Sequence, residues 1–184
     1  MAGNLQASLT DIPMGPCRVV VMKLTDDSVI AILDRTKGGC HFKFNQKTED
    51  VTMDQTADAV AAKLAAGSDA LFEVPLVTNE AKILQPLIPG TTLYSNVTTS
   101  EEALLYCEQI GDMSAYAVKV RLEPIGRSTN EHVTLFKAIP VPNIDRQYGG
   151  KDIHINGIQF VALPDPAKNN RKWLMGPESV LPSA

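Results

Sequence analysis

The sequence predicts a mainly β protein: an antiparallel β-sandwich or barrel with one packed α-helix, an extended loop and an N-terminal arm. Two observations carry this prediction. Apolar and polar residues alternate with a period of two in about nine segments separated by turn residues, and only one segment has convincing helical spacing. The length of 184 residues suits one domain.

The first half of the chain contains five predicted strands, at residues 17–23, 28–33, 40–45, 49–54 and 70–77. The first two are separated by a short polar turn, so they could pair as a hairpin. Gly38 and Gly39 supply the positive φ that a tight reversal needs before the third strand. Pro75 cannot donate a hydrogen bond to a ladder, which places the fifth strand at a sheet edge or Pro75 at a strand end.

Two segments have helical features. Residues 56–68 are rich in alanine, which favours a helix, but strands flank them, so a short helix and a long loop both stay open. Residues 79–88 are the best predicted helix, because Asn79 can cap the start and Pro89 with Gly90 ends it. The apolar stripe of this helix consists of Ile83, Leu84, Leu87 and Ile88.

The second half of the chain returns to predicted strands, at residues 103–109, 115–123, 132–140 and 151–163. In the second of these, alternation places one set of side chains inward and a charged set outward. The inward set is Tyr116, Val118, Val120 and Leu122, and the outward set is Lys119, Arg121 and Glu123. Gly157, near the middle of the last strand, suggests a bulge or a bend.

Composition limits the class of protein. The formal net charge is −4 and no dense cluster of Lys and Arg is present, which argues against a protein that grips nucleic acid. No run of ~18 apolar residues predicts a membrane span, and no secretory signal is recognised, so the protein is expected to stay where it is made. The odd count of cysteines, Cys17, Cys40 and Cys107, without a C-x-x-C motif, suits free thiols in a reducing compartment.

Residues of catalytic or metal-binding type are scattered. His41, His132 and His154 each fall at an exposed position of a predicted strand, and the three cysteines fall in apolar strand contexts typical of inert thiols. No nucleotide-binding or nucleophile motif is present. We therefore predict no catalytic, metal-binding or cofactor-binding residue, and a protein that is not an enzyme. Trp173 is expected to be a packing anchor for the terminal segment.

The order of several short segments is similar to a known family. Residues 34–44 (DRTKGGCHFKF) resemble a "D-x-T-x-G-G" turn followed by an aromatic-rich strand, and residues 48–55 (TEDVTMDQ) resemble an acidic "D-V-x-V-D-Q" strand. The strand end at residues 73–76 and the helix leading to Pro89-Gly90 follow in the same order. Residues 136–138, 160–165 and 174–176 resemble the closing strands. In this order and spacing, residues 15–176 resemble the major tail tube protein of long-tailed, siphophage-like bacteriophages.

The resemblance implies a structural virion protein. Members of that family form hexameric rings that stack into a tube, through which phage DNA passes without specific binding. The implied partners are further copies of the chain and the tape-measure, tail-tip and tail-terminator proteins, with assembly in the cytoplasm of the bacterial host and a final place in the virion tail. The implied division is an N-terminal arm at 1–14, a β domain at 15–176 and a C-terminal tail at 177–184.

The same resemblance suggests residues for assembly. The acidic strand supplies the candidates for the wall of the lumen, which are Glu49, Asp50 and Asp54. The alanine-rich segment departs from the family pattern and falls where the family has a long loop between rings. The candidates in that inter-ring loop are Thr56, Asp58, Lys63 and Gly67. Residues 1–14 are a further candidate for contacts between rings.

Two other classes stay open. One is another phage tail component of the same fold, such as the inner tube of a contractile tail, a baseplate subunit or a tail adaptor, which the ring number and the presence of a filament would separate. The other is a small-ligand-binding module or an enzyme built on a β-sandwich. A convergent polar pocket would support that second class.

Overall fold

The computed structural model describes residues 16–52, 60–78, 80–108, 111–144 and 155–181. These residues form a mainly β, antiparallel, sandwich-like fold with one short α-helix, as the sequence predicts. The strands are β1 (Cys17–Met22), β2 (Val29–Leu33), β3 (His41–Thr52), β4 (Val60–Leu76), β5 (Thr91–Asn96), β6 (Glu101–Tyr106), β7 (Val118–Pro124), β8 (Val133–Ile144), β9 (Asn156–Ala162) and β10 (Trp173–Met175).

The main sheet has the strand order β2-β1-β7-β8-β9-β4-β3, and β10 pairs with β8. The long strand β8 is shared between two parts of this sheet. Its first half pairs with β7 and β10, and its second half, from Ala138 onward, pairs with β9. A register shift between Val118 and Val120 of β7 marks a bulge, which bends the ladder where the two parts meet.

The hydrophobic core lies between the inward faces of these two parts. From the first part it contains side chains such as Val19, Val21 and Leu33, and from the second Phe72 and Phe160. Alternate residues of each strand reach this core, which is the period-two pattern that the sequence contains. Burial of these apolar side chains is the main stabilising contribution to the fold.

The predicted helix is present but shorter than its sequence pattern. The α-helix α1 covers only Ala81–Leu84 and continues as a 3-10 turn over Gln85–Leu87. Leu84 and Leu87 are buried, so the apolar stripe is confirmed. Pro86 shortens the α-helix, because a proline ring clashes with the preceding helical turn. Asn79, the predicted cap, lies outside the described residues.

The alanine-rich segment 56–68 is not a helix or a loop in its described part. Residues from Val60 onward belong to β4, a 17-residue strand that pairs with β3 from Thr52 back to His41. The predicted strands at 40–45 and 49–54 are likewise one strand, β3. Pairing with β3 satisfies the backbone of this segment, and that tertiary contact outweighs the modest helix propensity of alanine.

The outward face of β7 is less exposed than its charged pattern predicts. Arg121 is half-buried, whereas Lys119 and Glu123 are buried. Part of the cover comes from the C-terminal 3-10 turn at Glu178–Val180, whose first residue forms an ion pair with Lys119. Glu178, which lies in the segment predicted as a C-terminal tail, therefore contacts the β domain.

Other predictions need smaller corrections. Strand β5 was not predicted; it forms a separate two-stranded sheet with β6. Gly157 lies in unbroken register with Pro75 on one side and Asn143 on the other, so it makes neither a bulge nor a bend. A methyl group on Gly157 would lie 3.3 Å from the Asn143 carbonyl oxygen, so close backbone approach explains this glycine. Pro75 lies at the end of its strand, as predicted.

Candidate assembly surface

The most exposed element of the fold is a two-stranded extension of β3 and β4, called here the arm (residues 47–52 and 60–67). Strand β9 pairs with β4 only from Leu71 to Leu76, so the β4 side of the arm has β3 as its one described partner. Every arm side chain whose exposure is described is exposed, apart from half-buried Val51. The arm therefore extends from the body of the domain as a two-stranded ribbon whose two faces are both exposed to solvent.

The two faces of the arm differ in chemistry. Alternation places Val51, Ala62 and Leu64 on one face with Glu49, and Asp50 with Lys63 on the other. Leu64 is 58 % exposed. On the opposite face the Lys63 Nζ lies 2.7 Å from the Asp50 carboxylate. One face is thus a narrow apolar strip, and the other carries an exposed ion pair.

Two register shifts shape the arm. The first lies between Lys47 and Thr48, whose partners are Gly67 and Ala65, and the second lies between Val51 and Thr52. Gly67 has φ +121°, a conformation that residues with a side chain rarely adopt, so a glycine fits beside the first bulge. Bulges increase the local twist and redirect a ribbon, and they set the direction in which this arm leaves the domain.

The base of the arm is fixed by the C-terminal segment. The Trp173 ring packs against Phe42 and Phe44 of β3, with centroid distances of 5.2 and 5.1 Å. The neighbouring Lys172 Nζ donates a hydrogen bond to the Ser68 carbonyl oxygen of β4. Trp173 is therefore a packing anchor, as predicted, and it holds the start of the arm on the body of the domain.

The residues predicted for assembly fall into two groups. Lys63 and Gly67 lie on the arm, together with Glu49 and Asp50. As neighbours on a strand, Glu49 and Asp50 point to opposite faces, so both carboxylates cannot line one surface. The remaining candidates, Asp54, Thr56 and Asp58, lie outside the described residues.

Three further surfaces leave backbone or apolar groups uncovered within the described chain. Strands β2 and β3 lie at the two ends of the strand order in the main sheet. On β2, Val29 and Ile32 are 56 % and 47 % exposed. The β5–β6 hairpin forms a sheet of its own, and Tyr94 and Leu105 on it are more than half exposed. Edges and exposed apolar side chains of this kind favour contact with another chain.

Two charged networks that the sequence pattern did not predict lie on the outer face of β7. Glu123 accepts hydrogen bonds of 2.6 Å from the Nε atoms of both Arg18 and Arg121. Burial opposes ionisation of Glu123, but the two guanidinium groups outweigh it and hold its pKa below the ordinary value. The sequence signal for this network is the outward set of charged residues on β7. The pattern of alternation does not show that other parts of the protein bury these side chains.

The second network surrounds the buried Lys119 ammonium. Its Nζ donates hydrogen bonds of 2.9 Å to Asp27 and 2.6 Å to Glu178. Burial lowers the pKa of Lys119, but the two carboxylates outweigh it and the pKa lies above its ordinary value. Glu178 shows the reverse: burial opposes its ionisation, and Lys119 and Lys168 hold its pKa below the ordinary value. Both networks are satisfied ion pairs that join elements distant in sequence.

The histidines and cysteines do not assemble into a site within the described residues. His41 is exposed on β3, as predicted, whereas His132 precedes β8 and is half-buried, and His154 lies outside the description. The cysteines also differ from the prediction, because Cys107 is exposed beyond the end of β6. Over 16–52, 60–78, 80–108, 111–144 and 155–181, no three His, Cys, Asp or Glu side chains are grouped for a metal ion.

Two of the open clefts among the described residues are places where a small molecule could bind. A cleft of about 540 Å³ lies between the β1–β2 turn, the end of α1 and the 3-10 turn at Met113–Tyr116. A second, of about 460 Å³, contains His41, Glu73 and the amides of Asn143 and Gln159. Glu73 already pairs with Lys43 Nζ at 2.6 Å. This second cleft offers hydrogen-bonding groups on an open sheet face.

The chain matches no protein-family model, and no curated protein sequence is significantly similar to it. Among the described helices, none is long and apolar enough to cross a membrane.

Proposed function

We propose that this chain is the structural subunit of a phage tail tube, which assembles with copies of itself into stacked hexameric rings and catalyses nothing. The observation that carries the proposal is the arm, a ribbon exposed on both faces. A two-stranded ribbon is at best marginally stable in water, so its full length is explained if another surface covers it. Because residues 15–176 resemble tail tube proteins, we take the covering surface to belong to a second copy of the chain.

The sheet edges support a ring. Strands β2 and β3 end the described sheet on opposite sides, and each presents backbone groups to solvent. Contacts between two different surfaces of identical subunits close into a ring when the rotation permits, and rings stack into a tube. The arm, which is formed by the end of β3 and the start of β4, is then the element that reaches a neighbouring subunit or the next ring. In this arrangement the exposed apolar strip of Val51, Ala62 and Leu64 becomes buried.

The charge of the chain agrees with a lumen that DNA crosses. A net charge of −4 gives six subunits a strongly acidic ring, and acidic walls repel phosphate groups. Because Glu49 and Asp50 point to opposite faces of the arm, only one of them can line a given wall. DNA passes such a wall without specific binding.

The first test is negative-stain electron microscopy of the purified protein over a concentration series. Rings or tubes with a central hole are the expected result, and sixfold class averages would fix the ring number. A ring of another symmetry would favour a different tail component. A protein that stays monomeric at high concentration, even when a tail-tip complex is added as an initiator, would contradict the proposal.

The arm is tested by Leu64→Asp. The substitution places a charge on the apolar strip, so we expect loss of rings and tubes while the melting temperature stays within a few degrees, because an exposed position contributes little to stability. The matched control is Val97→Asp, at a residue that is 94 % exposed in the β5–β6 turn. Normal assembly of the Leu64→Asp variant would show that the apolar strip of the arm is not a contact between subunits.

A small-ligand-binding module is the second candidate, and the cleft that contains His41 and Glu73 favours it. A ligand there would use the Asn143 and Gln159 amides as well. Thermal-shift screening of the monomer against small polar molecules tests this candidate. A hit that Gln159→Ala abolishes, together with absence of assembly, would favour binding over the tube.

A further inference from the structure

A chemically labile dipeptide lies at the start of β9. The sequence contains one Asn-Gly pair, Asn156 with Gly157. In a chain that is free to bend, the backbone nitrogen of the glycine can reach the side-chain carbonyl carbon of the asparagine, because glycine has no side chain to obstruct the approach and adopts conformations closed to other residues. Attack at that carbon closes a five-membered succinimide ring. This pair is therefore the place in the sequence where such a rearrangement is chemically easiest.

The fold requires both residues of the pair. Asn156 is fully buried, and its Nδ2 atom donates a hydrogen bond of 2.6 Å to the Thr78 carbonyl oxygen, just beyond β4. Gly157 lies opposite Pro75 and Asn143, and a Cβ atom on it would lie 3.3 Å from the Asn143 carbonyl oxygen. A buried carbonyl group needs a donor, and strands this close leave little room for a side chain. Two separate packing requirements thus place an asparagine directly before a glycine.

The same packing keeps the pair unreactive. In a β-strand a side chain stands roughly perpendicular to the sheet, so the Asn156 carboxamide points away from the next backbone nitrogen. Asn156 is paired with Leu76 of β4 and with Ile144 of β8, so its backbone is held extended from both sides. Ring closure requires Asn156 to turn out of this conformation. The start of β9 must therefore separate from both neighbouring strands before the pair can react.

We propose that Asn156 is a site of self-modification that reacts when β9 leaves the sheet and is protected while β9 is paired. The Gly157 nitrogen attacks the Asn156 Cγ atom, a new C–N bond forms, the Cγ–Nδ2 bond breaks, and the amide proton of Gly157 leaves with the Nδ2 group as ammonia. One water molecule then opens the succinimide at either of its carbonyl groups. The products are aspartate and isoaspartate at position 156, and the reaction involves no change of oxidation state.

Neither product fits the place of Asn156. Aspartate sets a carboxylate oxygen where the Nδ2 atom lies, so two acceptors face each other at the buried Thr78 carbonyl group. Isoaspartate adds one carbon atom to the backbone, which shifts the rest of β9 against β4 and β8. Ile158 and Phe160, both fully buried in the core, then lose their positions. A chain modified at this site is therefore removed from the folded population. This inference does not depend on the proposed tail-tube function.

The test follows the modification of the full-length protein at mildly alkaline pH, in native buffer and in unfolding guanidinium chloride. Trypsin at mildly acidic pH should release residues 152–168, in which Asn156 is the one asparagine, and mass spectrometry then measures the succinimide and its two products. We expect Asn156 to react at least about a hundredfold more slowly in the folded protein, because fewer than about one molecule in a thousand is unfolded at a given time.

Asn130 is the internal control for both conditions. It is exposed in the folded protein, and Glu131, which follows it, has a side chain that hinders ring closure. Asn130 should react slowly and at similar rates in the folded and unfolded chains. Reaction of Asn156 as fast in the folded protein as in the unfolded chain would overturn the proposal. An unfolded chain in which Asn156 stays as intact as Asn130 would overturn it too.

Refolding tests the products. After dilution of the denaturant, unmodified chains should regain the native melting temperature, whereas chains modified at Asn156 should stay unfolded or melt at least about 5 °C lower. Asn156→Asp should reproduce this loss. Asn143→Asp, at the exposed position opposite Gly157, is the matched control and should melt within a few degrees of the native protein. Modified chains that refold with native stability would contradict the proposed removal from the folded population.

Discussion

Single residues on the outer face of β7 show how charge is tolerated in a small β domain. The Lys119 and Glu123 side chains are each only 6 % exposed. Removing a charge from water costs several kcal/mol unless partners compensate for it, and here each group has two partners of opposite sign. Those partners come from β1, the β1–β2 turn, β7 itself and the C-terminal turn. The charges therefore specify how these elements lie on one another.

Glu123→Gln tests this role. The change leaves Arg18 and Arg121 without their shared carboxylate, and we expect a loss of about 1–3 kcal/mol in the free energy of unfolding, reduced from the fully buried case because both arginines are partly exposed. Urea unfolding followed by circular dichroism measures it. Asp50→Asn, which breaks the exposed pair with Lys63, is the control and should cost less than about 1 kcal/mol. Equal losses in both variants would contradict this interpretation.

The same carboxylates predict how stability depends on pH. The pKa values of Glu123 and Glu178 are lowered in the folded protein, so their stabilisation is present above the unfolded value of about 4.3 and is lost as pH falls through the folded values. Lys119 has a raised pKa, so its contribution is lost only as pH rises above about 10.4. Melting temperatures measured from pH 7 to pH 3 should fall more steeply for the native protein than for a Glu123→Gln, Glu178→Gln variant. Parallel curves would contradict this.

Secondary-structure elements differ in how far their own residues determine them. Strand β1 is a run of β-branched residues and is found where its sequence predicts it. Strand β4 contains an alanine-rich half whose local preference is helical, and this half becomes a strand because β3 pairs with β4 from Val60 to Glu73. Of the β5–β6 hairpin, the sequence predicts only β6, since the residues of β5 carry little apolar alternation. Where local preference is weak, the neighbouring strand decides.

Gly157 provides a test at this scale. In β9 its backbone lies between Pro75 and Asn143, and an added methyl group would approach the Asn143 carbonyl oxygen to 3.3 Å. We expect Gly157→Ala to destabilise the protein by about 1–2 kcal/mol, because the two strands must separate slightly. Gln159→Ala, at an exposed position of the same strand, is the control for chemical denaturation. A Gly157→Ala variant as stable as the Gln159→Ala control would show that β8 and β9 accommodate the added methyl group without a loss of stability.

At the scale of the whole molecule, the sheet joins segments that are distant in sequence. Strand β1 pairs with β7, so that Arg18 contacts Glu123, 105 positions away. Long loops must close before such contacts form, and proteins with this topology fold in about milliseconds to seconds. Stopped-flow refolding monitored by Trp173 fluorescence should show a main phase in that range. A microsecond phase that recovers all native signal would contradict this expectation.

The sequence by itself determined the class of the fold, the positions of most strands, the turn at Gly38 and Gly39 and the packing role of Trp173. These features depend on period-two alternation, on backbone conformations that only glycine adopts readily and on the size of an indole ring. The resemblance of residues 15–176 to tail tube proteins is also a property of the sequence, and the proposed function rests on it as well as on the arm.

Only the tertiary structure decided what lies next to each strand. It made an arm from β3 and an alanine-rich segment, paired buried Lys119 with Glu178 of the C-terminal turn, and paired buried Glu123 with Arg18 and Arg121. None of these can be read from local pattern, because each depends on contacts between residues that are distant in the chain. Alternation tells which side chains share a face of a strand, but the cover on that face is supplied by other parts of the molecule.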